Sequence, residues 1–152
     1  MHVREARPRF RVEQQRALEL AEAFFAASRS GDLTALGAML ADDVTVYSDG
    51  GGKRRAMTRP LHGLHRVLGL HRGLAQIYAR HGSSLVHVGF VNGLPGFVSQ
   101  EADGELQSTA LEIADGKLAA IYLVRDTHKL RHLHSPVRPT PRRFARAFRI
   151  AP

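Results

Sequence analysis

A glycine-rich basic segment is the most distinctive chemical feature of the sequence. Residues 47–55 read YSDGGGKRR, so that three glycines at 50–52 separate Asp49 from three consecutive cations. A two-residue hairpin needs only one or two residues that tolerate positive φ, and Asp-Gly normally supplies them. Glycines also let a neighbouring group approach the backbone amides closely, and Lys53 can pair with an acidic group. This glycine segment is interpreted either as a contact loop or as a plain flexible turn.

Side chains that could exchange protons are scattered along the chain. Acid/base catalysis would need a carboxylate or histidine in a pocket, with a shifted pKa and a partner that stabilises an enolate. The candidates form no recognisable pair, and Asp49 is better explained as the start of the glycine segment, so a non-enzymatic protein is predicted. The candidates are Tyr47, Asp49, His62, His65, Glu112, Tyr122 and Asp126.

Metal and cofactor chemistry has little support in the sequence. His62 and His65 are three residues apart and His71 follows, but no acidic neighbour marks a third ligand at a telling distance. Cysteine is absent, which excludes disulfides, a thiol nucleophile and cysteine-ligated zinc or iron–sulfur clusters. We therefore expect no metal and no cofactor.

The positive charge is concentrated at the two ends of the chain. The 152 residues carry a net charge of +8, of which residues 1–16 contribute +3 and residues 129–152 contribute +7, leaving −2 for the remainder. A nearly neutral centre argues against a basic groove across the domain and for charged arms. The basic C-terminal stretch is interpreted either as a segment that contacts DNA phosphates or as a solvated terminus.

Hydrophobic periodicity predicts three helices and an antiparallel meander. Helices are expected over 13–29, over 33–40 with Asp32 as N-cap, and over 64–80. Asp42 and Asp43 are expected to close the second helix. Strands are expected at 44–48, 85–91, 96–101, 105–113 and 117–125, with Asn-Gly and Asp-Gly pairs at the later turns. This order predicts an α+β fold in which a curved antiparallel sheet wraps around the helices and leaves a pocket at its open end.

Aromatic residues on the inward-facing sides of the predicted helices and strands could line such a pocket. Apolar residues at these spacings, however, usually belong to the ordinary core. The candidate pocket residues are Tyr47, Phe25, Phe90 and Tyr122.

The order of elements and three motifs resemble a known family. Asp49-Gly50-Gly51-Gly52-Lys53 after the first strand, VNGLPG at 91–96 and YLVRDTHKL at 122–130 are similar to the C-terminal extension of extracytoplasmic-function sigma factors of the sigma J type. That extension is a SnoaL-like domain, whose cone-shaped fold is shared with ketosteroid isomerase and nuclear transport factor 2. Asp126-Thr127-His128-Lys129-Leu130 keeps only the final Lys-Leu of the family's usual closing motif.

The resemblance implies a regulatory role in transcription initiation. The domain would contact the promoter-recognition domains of the same sigma factor, and through the full-length protein it would act on RNA polymerase core and promoter DNA. It permits a homodimer through the sheet. The alternative is a free-standing SnoaL-like protein that binds a small molecule or works as an isomerase or cyclase. The implied contact residues are Asp49, Gly50, Gly51, Gly52, Lys53, Asp126, Lys129 and Leu130.

Three regions follow from this interpretation: a linker remnant at 1–12, the SnoaL-like domain at 13–130 and a basic, proline- and arginine-rich flexible tail at 131–152. The opening resembles the segment that leaves a promoter-recognition domain, so the chain is expected to be a fragment of a longer factor. No apolar run approaches the ~18–20 residues of a membrane span, and the N-terminus lacks an apolar signal core, so a soluble cytoplasmic protein is predicted.

Overall fold

The computed structural model describes residues 3–49 and 59–125, with side chains described from Phe10 onward. The helices are α1 (Val3–Ser30), α2 (Leu33–Met39) and α3 (Leu64–His81). The strands are β1 (Leu40–Asp49), β2 (Leu61–His62), β3 (Ser83–Val91), β4 (Leu94–Glu101), β5 (Leu106–Ala114) and β6 (Lys117–Val124). Within these ranges, no helix has both the length and the apolarity that crossing a membrane requires.

Helix α1 begins at Val3 rather than at residue 13, and it runs through the stretch predicted to be a linker at 1–12. Four of the residues at 1–12 are arginine, which favours helix, whereas Pro8 in the same stretch disfavours it. Its buried face passes through Ala21, Phe24 and Ala27, whereas Phe25 is only half-buried. The buried face of α1 is therefore centred on Phe24 and not on Phe25.

Helix α2 is short and has the predicted N-cap. The Asp32 carboxylate accepts a hydrogen bond from the Ala35 amide at 3.0 Å, which satisfies one of the free amides of the first turn. The chain becomes extended at Leu40, so Asp42 and Asp43 lie exposed within β1 instead of closing the helix. Buried Leu40 and Val44 hold this part of β1 against the core, which explains the early start of the strand.

The six strands form one sheet in the order β2-β1-β6-β5-β4-β3. Neighbours β3 to β6 are antiparallel, as predicted, and their turns have positive φ at Asn92, Gly93, Asp115 and Gly116. Strand β1 pairs with β6 in parallel, and no hairpin joins them: α3 and four strands lie between them in the chain. Register shifts within the β3–β4, β5–β6 and β1–β6 pairs mark bulges, which bend strands locally.

The core lies between the helices and one face of the sheet, called here the inner face. Helical Phe24 and Leu36 pack there with alternate strand residues, including Val46, Phe97 and Leu111. Three helices on a curved, mostly antiparallel sheet confirm the predicted α+β class. Because the helices do not cover the whole inner face, part of it borders a cavity.

Candidate functional site

A cavity of about 440 Å³ opens between α1, α3 and the inner face of β4, β5 and β6. Its volume lies within the ~300–1,000 Å³ that small-molecule sites usually have. The apolar part of its wall comes from Phe24, Leu70, Leu74, Ile77 and Leu123. The polar and aromatic part comes from Arg29, Ser48, His71, Tyr78, His81, Glu101, Asp103, Gln107, Thr109 and Arg125.

A buried ion pair forms one side of the cavity. Arg29, in the last turn of α1, approaches Glu101 of β4 with 3.4 Å between Nη2 and Oε2, and the two side chains are 12% and 7% exposed. The guanidinium also donates to Ser83 Oγ at 3.0 Å and to Ser99 Oγ at 3.2 Å. Ser99 Oγ in turn donates to Glu101 Oε2 at 2.6 Å. Because additional hydrogen bonds satisfy both ions, the pair can be tolerated away from water.

Aromatic rings complete the surroundings of Arg29. The guanidinium carbon lies 4.3 Å from the ring centroid of Tyr78 and 4.6 Å from that of Phe25. Both distances fall within the range of cation–π attraction. Burial raises the pKa of the Tyr78 phenol, so this hydroxyl stays protonated near neutral pH. The Arg29 cluster therefore joins α1, α3, β3 and β4 at a defined position.

Arg125 forms a second ion pair that borders the cavity. Its Nη2 donates to the two Asp103 carboxylate oxygens at 3.0 and 2.8 Å. Glu105 lies 3.8 Å from its Nε. The arginine side chain is 30% exposed, so solvent screens this pair more than the Arg29 pair. Both arginines that line the cavity thus face carboxylates.

His71 is the buried histidine of the cavity wall. Its Nδ1 lies 3.0 Å from the Val67 carbonyl oxygen, and its ring meets Phe24 edge-on at 5.5 Å. A carbonyl oxygen only accepts, so Nδ1 carries the proton and Nε2 is the acceptor of the neutral ring. Burial lowers the pKa of His71, and the nearby Arg29 charge acts in the same direction against the Val67 hydrogen bond. The ring is therefore a neutral hydrogen-bond acceptor at physiological pH.

Thr109 of β5 is a buried polar residue of the cavity wall. It is 1% exposed, and its Oγ1 has no hydrogen-bond partner among the described residues. It pairs with Phe97 of β4 and Leu123 of β6, so its side chain stands between apolar neighbours. A buried hydroxyl of this kind is costly unless something supplies a hydrogen bond.

The residues predicted to line a pocket lie elsewhere. Tyr47 and Tyr122 stack on each other on the outer face of the sheet, with centroids 5.0 Å apart and planes 8° from parallel. The Tyr122 hydroxyl donates to Glu112 Oε1 at 2.8 Å, and this bond is the main cause that raises the Tyr122 pKa. The alternation of β1 explains the placement, because Val46 faces the core and its neighbour Tyr47 must face outward.

Phe25 and Phe90 also lie outside the lining of this cavity. Phe25 packs edge-on against Phe97 with centroids 5.2 Å apart, behind the Arg29 guanidinium. Phe90 is half-buried in β3, opposite Pro95. These rings contribute to packing, as apolar residues at such spacings usually do.

The remaining histidine candidates are exposed. His62 shares a 2.8 Å hydrogen bond between its Nδ1 and Thr45 Oγ1. His65 lies at the exposed start of α3. Within residues 3–49 and 59–125, no three His, Asp or Glu side chains come together as they would around a metal ion.

The predicted contact segments leave the sheet at adjacent positions. Asp49 ends β1 opposite Val124 of β6, and the Arg125 amide donates to the Asp49 carbonyl oxygen at 2.9 Å. We call Asp49 and Arg125 together the contact edge. The other predicted contact residues lie outside the described ranges: Gly50, Gly51, Gly52, Lys53, Asp126, Lys129 and Leu130.

Sequence reasoning missed the polar side of the cavity. Arg29, His71, Glu101 and Thr109 lie on elements whose faces were interpreted as plain core or solvent. A usable signal was present in β4 and β5, where Ser99, Glu101 and Thr109 interrupt the apolar residues on the inward-facing side. Polar residues on a core-facing side of a strand need a partner, and that need points to a buried site.

Comparison with solved structures agrees with this architecture. The sequence matches no family model and no curated protein sequence at a significant level. The fold is similar to that of a SnoaL-like protein of unknown function from Burkholderia thailandensis, with a TM-score of 0.60 and 15% identity over 74% of this chain and 95% of that one. An NTF2-like protein from Cytophaga hutchinsonii matches with a TM-score of 0.50 and 14% identity over 74% and 91% of the two chains.

A sigma factor is also among the similar structures. The extracytoplasmic-function sigma factor SigJ of Mycobacterium tuberculosis matches with a TM-score of 0.54 and 25% identity over 78% of this chain. The match spans 45% of the sigma factor, so this chain corresponds to less than half of that protein. Three helices, the curved sheet and these neighbours together show that the chain adopts a SnoaL-like, NTF2-like fold.

Proposed function

We propose that this chain is the C-terminal regulatory domain of an extracytoplasmic-function sigma factor. The observation that carries the proposal is the 25% identity with SigJ over 78% of the chain, which is higher than the 15% identity with the SnoaL-like protein from Burkholderia thailandensis. In this role the domain contacts the promoter-recognition domains of the same factor. It thereby tunes their engagement with RNA polymerase core and promoter DNA in the cytoplasm.

The geometry of the contact edge supports this proposal. Because β1 and β6 are parallel neighbours, the residues after Asp49 and those after Arg125 start from one end of the sheet. Two of the three resembling motifs, 49–53 and 122–130, are far apart in the chain, and their described residues Asp49 and Arg125 are neighbours in the sheet. A single partner domain could therefore contact both.

The residue types suit a reversible contact. Three glycines without Cβ atoms let a partner approach the backbone amides, and Lys53 supplies a positive charge for an acidic group. Interfaces between domains of one chain are typically modest in area and more polar than obligate ones. Such a contact can be made and released during promoter engagement.

The test replaces Gly50, Gly51 and Gly52 together by alanine in the sigma factor that contains this domain. Transcription from its promoter is measured with purified RNA polymerase core, and the melting temperature of the 152-residue chain is measured separately. We expect transcription to change at least about threefold, since even a ~1 kcal/mol change in interdomain contact shifts an equilibrium about fivefold. The melting temperature should stay within a few degrees.

A matched control carries three Gly→Ala changes on helices. Gly37, Gly69 and Gly73 have no atom within 4 Å of an added Cβ, so their replacement should leave transcription unchanged. If the 50–52 variant transcribes like the wild type, the contact role of the glycine segment is wrong.

A second candidate function is favoured by the cavity. A free-standing SnoaL-like protein could use this cavity to hold a small molecule, which is the alternative function given in the sequence analysis. Binding is better supported than isomerase or cyclase chemistry because Glu101 and Asp103, the lining carboxylates, are engaged with Arg29 and Arg125. A carboxylate held by an arginine is a weak general base.

A further inference from the structure

The charges around the cavity are already compensated. Arg29 faces Glu101 and Arg125 faces Asp103, so the two cations and two anions of the wall form pairs. A charged ligand would have to leave water without meeting an available counter-charge, which is unfavourable. The cavity therefore favours a neutral molecule.

The rest of the wall indicates an apolar body. Phe24, Leu70, Leu74 and Leu123 form a continuous part of the lining, and Ile77 stands at the opening with 52% of its surface exposed. Contact with an apolar ligand would remove the apolar surface of this isoleucine from water, which is favourable in free energy. By exposed area the wall is more apolar than polar, although polar residues outnumber apolar ones, and a mainly apolar surface is typical of small-molecule sites of this size.

Thr109 supplies a polar anchor within this apolar surface. Its Oγ1 is buried and lacks a hydrogen-bond partner in the part of the chain that the structure describes. A hydroxyl both donates and accepts, so it can exchange a hydrogen bond with an alcohol or phenol. His71 adds a neutral acceptor, Nε2, because Nδ1 is engaged with the Val67 carbonyl.

We propose that the cavity binds a neutral, largely apolar small molecule with a hydroxyl group, and that this group exchanges a hydrogen bond with Thr109. The apolar body lies against Phe24, Leu74 and Leu123, and a second donor on a larger ligand meets His71 Nε2. This site is distinct from the contact edge, and the proposal does not depend on a role in transcription. It can be tested on the isolated chain.

Three naphthalene derivatives serve as probes: 2-naphthol is neutral with a hydroxyl, 2-methylnaphthalene is neutral without one, and 2-naphthoate is charged. The chain has no tryptophan, so naphthol fluorescence can be followed directly, and the other two compete with it. We expect 2-naphthol to bind about tenfold more tightly than either competitor, as one neutral hydrogen bond in a buried site allows.

Substitutions of Thr109 test whether its hydroxyl forms the hydrogen bond with the ligand. Thr109→Val should weaken 2-naphthol binding about tenfold and leave 2-methylnaphthalene unchanged, whereas Thr109→Ser should keep naphthol affinity within about twofold. Thr34→Val makes the same change on the exposed surface of α2 and should have no effect. If Thr109→Val folds poorly, two measurements still test whether the Thr109 hydroxyl bonds the ligand. They are the comparison of Thr109→Ser with wild type and the relative affinities of the three probes.

Several results would overturn the proposal. Absence of binding by all three probes at millimolar concentration would refute a ligand site. Equal affinity for 2-naphthol and 2-methylnaphthalene would show that water, not a ligand, satisfies Thr109. Tighter binding of 2-naphthoate would show that the cavity selects an anion. Failure of the transcription test leaves these outcomes unaffected, so the two proposals can fail separately.

Discussion

His71 shows how one residue reports the environment of the cavity. It is 6% exposed, donates to the Val67 carbonyl one turn earlier in α3, and meets the ring of Phe24. Burial penalises the charged imidazolium more than the neutral ring, and this is the main cause of its lowered pKa. In the sequence, His71 is only a histidine that follows the His62 and His65 pair, and its role depends on the residues that surround it in the structure.

Replacement of His71 should change the pH dependence of stability. The pKa is below 6.5 in the folded state and near 6.5 when unfolded, so the native state binds fewer protons between these values. Its contribution to stability is therefore complete above about pH 6.5 and is lost as the pH falls toward the folded-state pKa. Urea unfolding at about pH 7.5 and 5.5 should show a smaller loss for His71→Phe than for wild type.

The exposed His65 of the same helix provides the control. His65→Phe should leave the contribution of His71 to the loss of stability on acidification unchanged, because His65 is exposed and does not line the cavity. An identical pH dependence in His71→Phe and wild type would contradict the assignment of a buried neutral ring.

At the scale of elements, the hairpin of β3 and β4 explains much of the VNGLPG motif without invoking function. Asn92 and Gly93 form its turn with φ of 52° and 83°. Gly96 pairs with Ala110 of β5, and a Cβ at Gly96 would collide with the Thr109 carbonyl oxygen. This motif is thus a structural requirement of the sheet, and it also fixes the position of Thr109 beside the cavity.

Gly96→Ala should therefore destabilise the protein. The colliding atom is backbone in a central strand, which cannot move without disturbing the β4–β5 pairing. We expect a loss of about 2–4 kcal/mol in the free energy of unfolding, measured by urea titration. Gly73→Ala on the exposed face of α3 has open space around its Cβ and should instead raise stability by up to ~1 kcal/mol. Equal behaviour of the two variants would refute the close strand approach.

At the scale of the whole molecule, the positive charge is concentrated in the C-terminal stretch. The net charge of +8 becomes +1 when the +7 of residues 129–152 is removed. Sequence-independent DNA binding depends on the number of cations that contact phosphates, and it weakens steeply with salt. Because the rest of the chain is nearly neutral, residues 129–152 should supply most of the cations that contact DNA phosphates.

Removal of residues 129–152 should abolish salt-sensitive binding to nonspecific DNA. The full chain is expected to bind at about 50 mM salt and to lose affinity at least tenfold by about 200 mM, as several phosphate contacts require. The truncated chain should show neither effect in fluorescence anisotropy with labelled duplex DNA. Unchanged DNA affinity after truncation would assign the binding to the body of the domain and refute the tail contact.

The sequence by itself determined the three helices, five of the six strands and their order, whereas the two-residue strand β2 was not predicted. Local signals were sufficient for the Asp32 cap, the extent of α3 and the turns at Asn92-Gly93 and Asp115-Gly116, since these depend on neighbouring residues. The end of α2 and the start of β1 differed from expectation because packing of Leu40 and Val44 outweighed the two aspartates.

Only the tertiary structure decided which residues form a site. Tyr47 and Tyr122, predicted for a pocket, stack on the outer face because strand register sets their side. Arg29, His71 and Thr109 come together from α1, α3 and β5, which no local pattern connects. The parallel pairing of β1 with β6 likewise brings together Asp49 and Arg125, which are far apart in the sequence. Long-range contacts of this kind depend on how the sheet closes, and periodicity does not encode that closure.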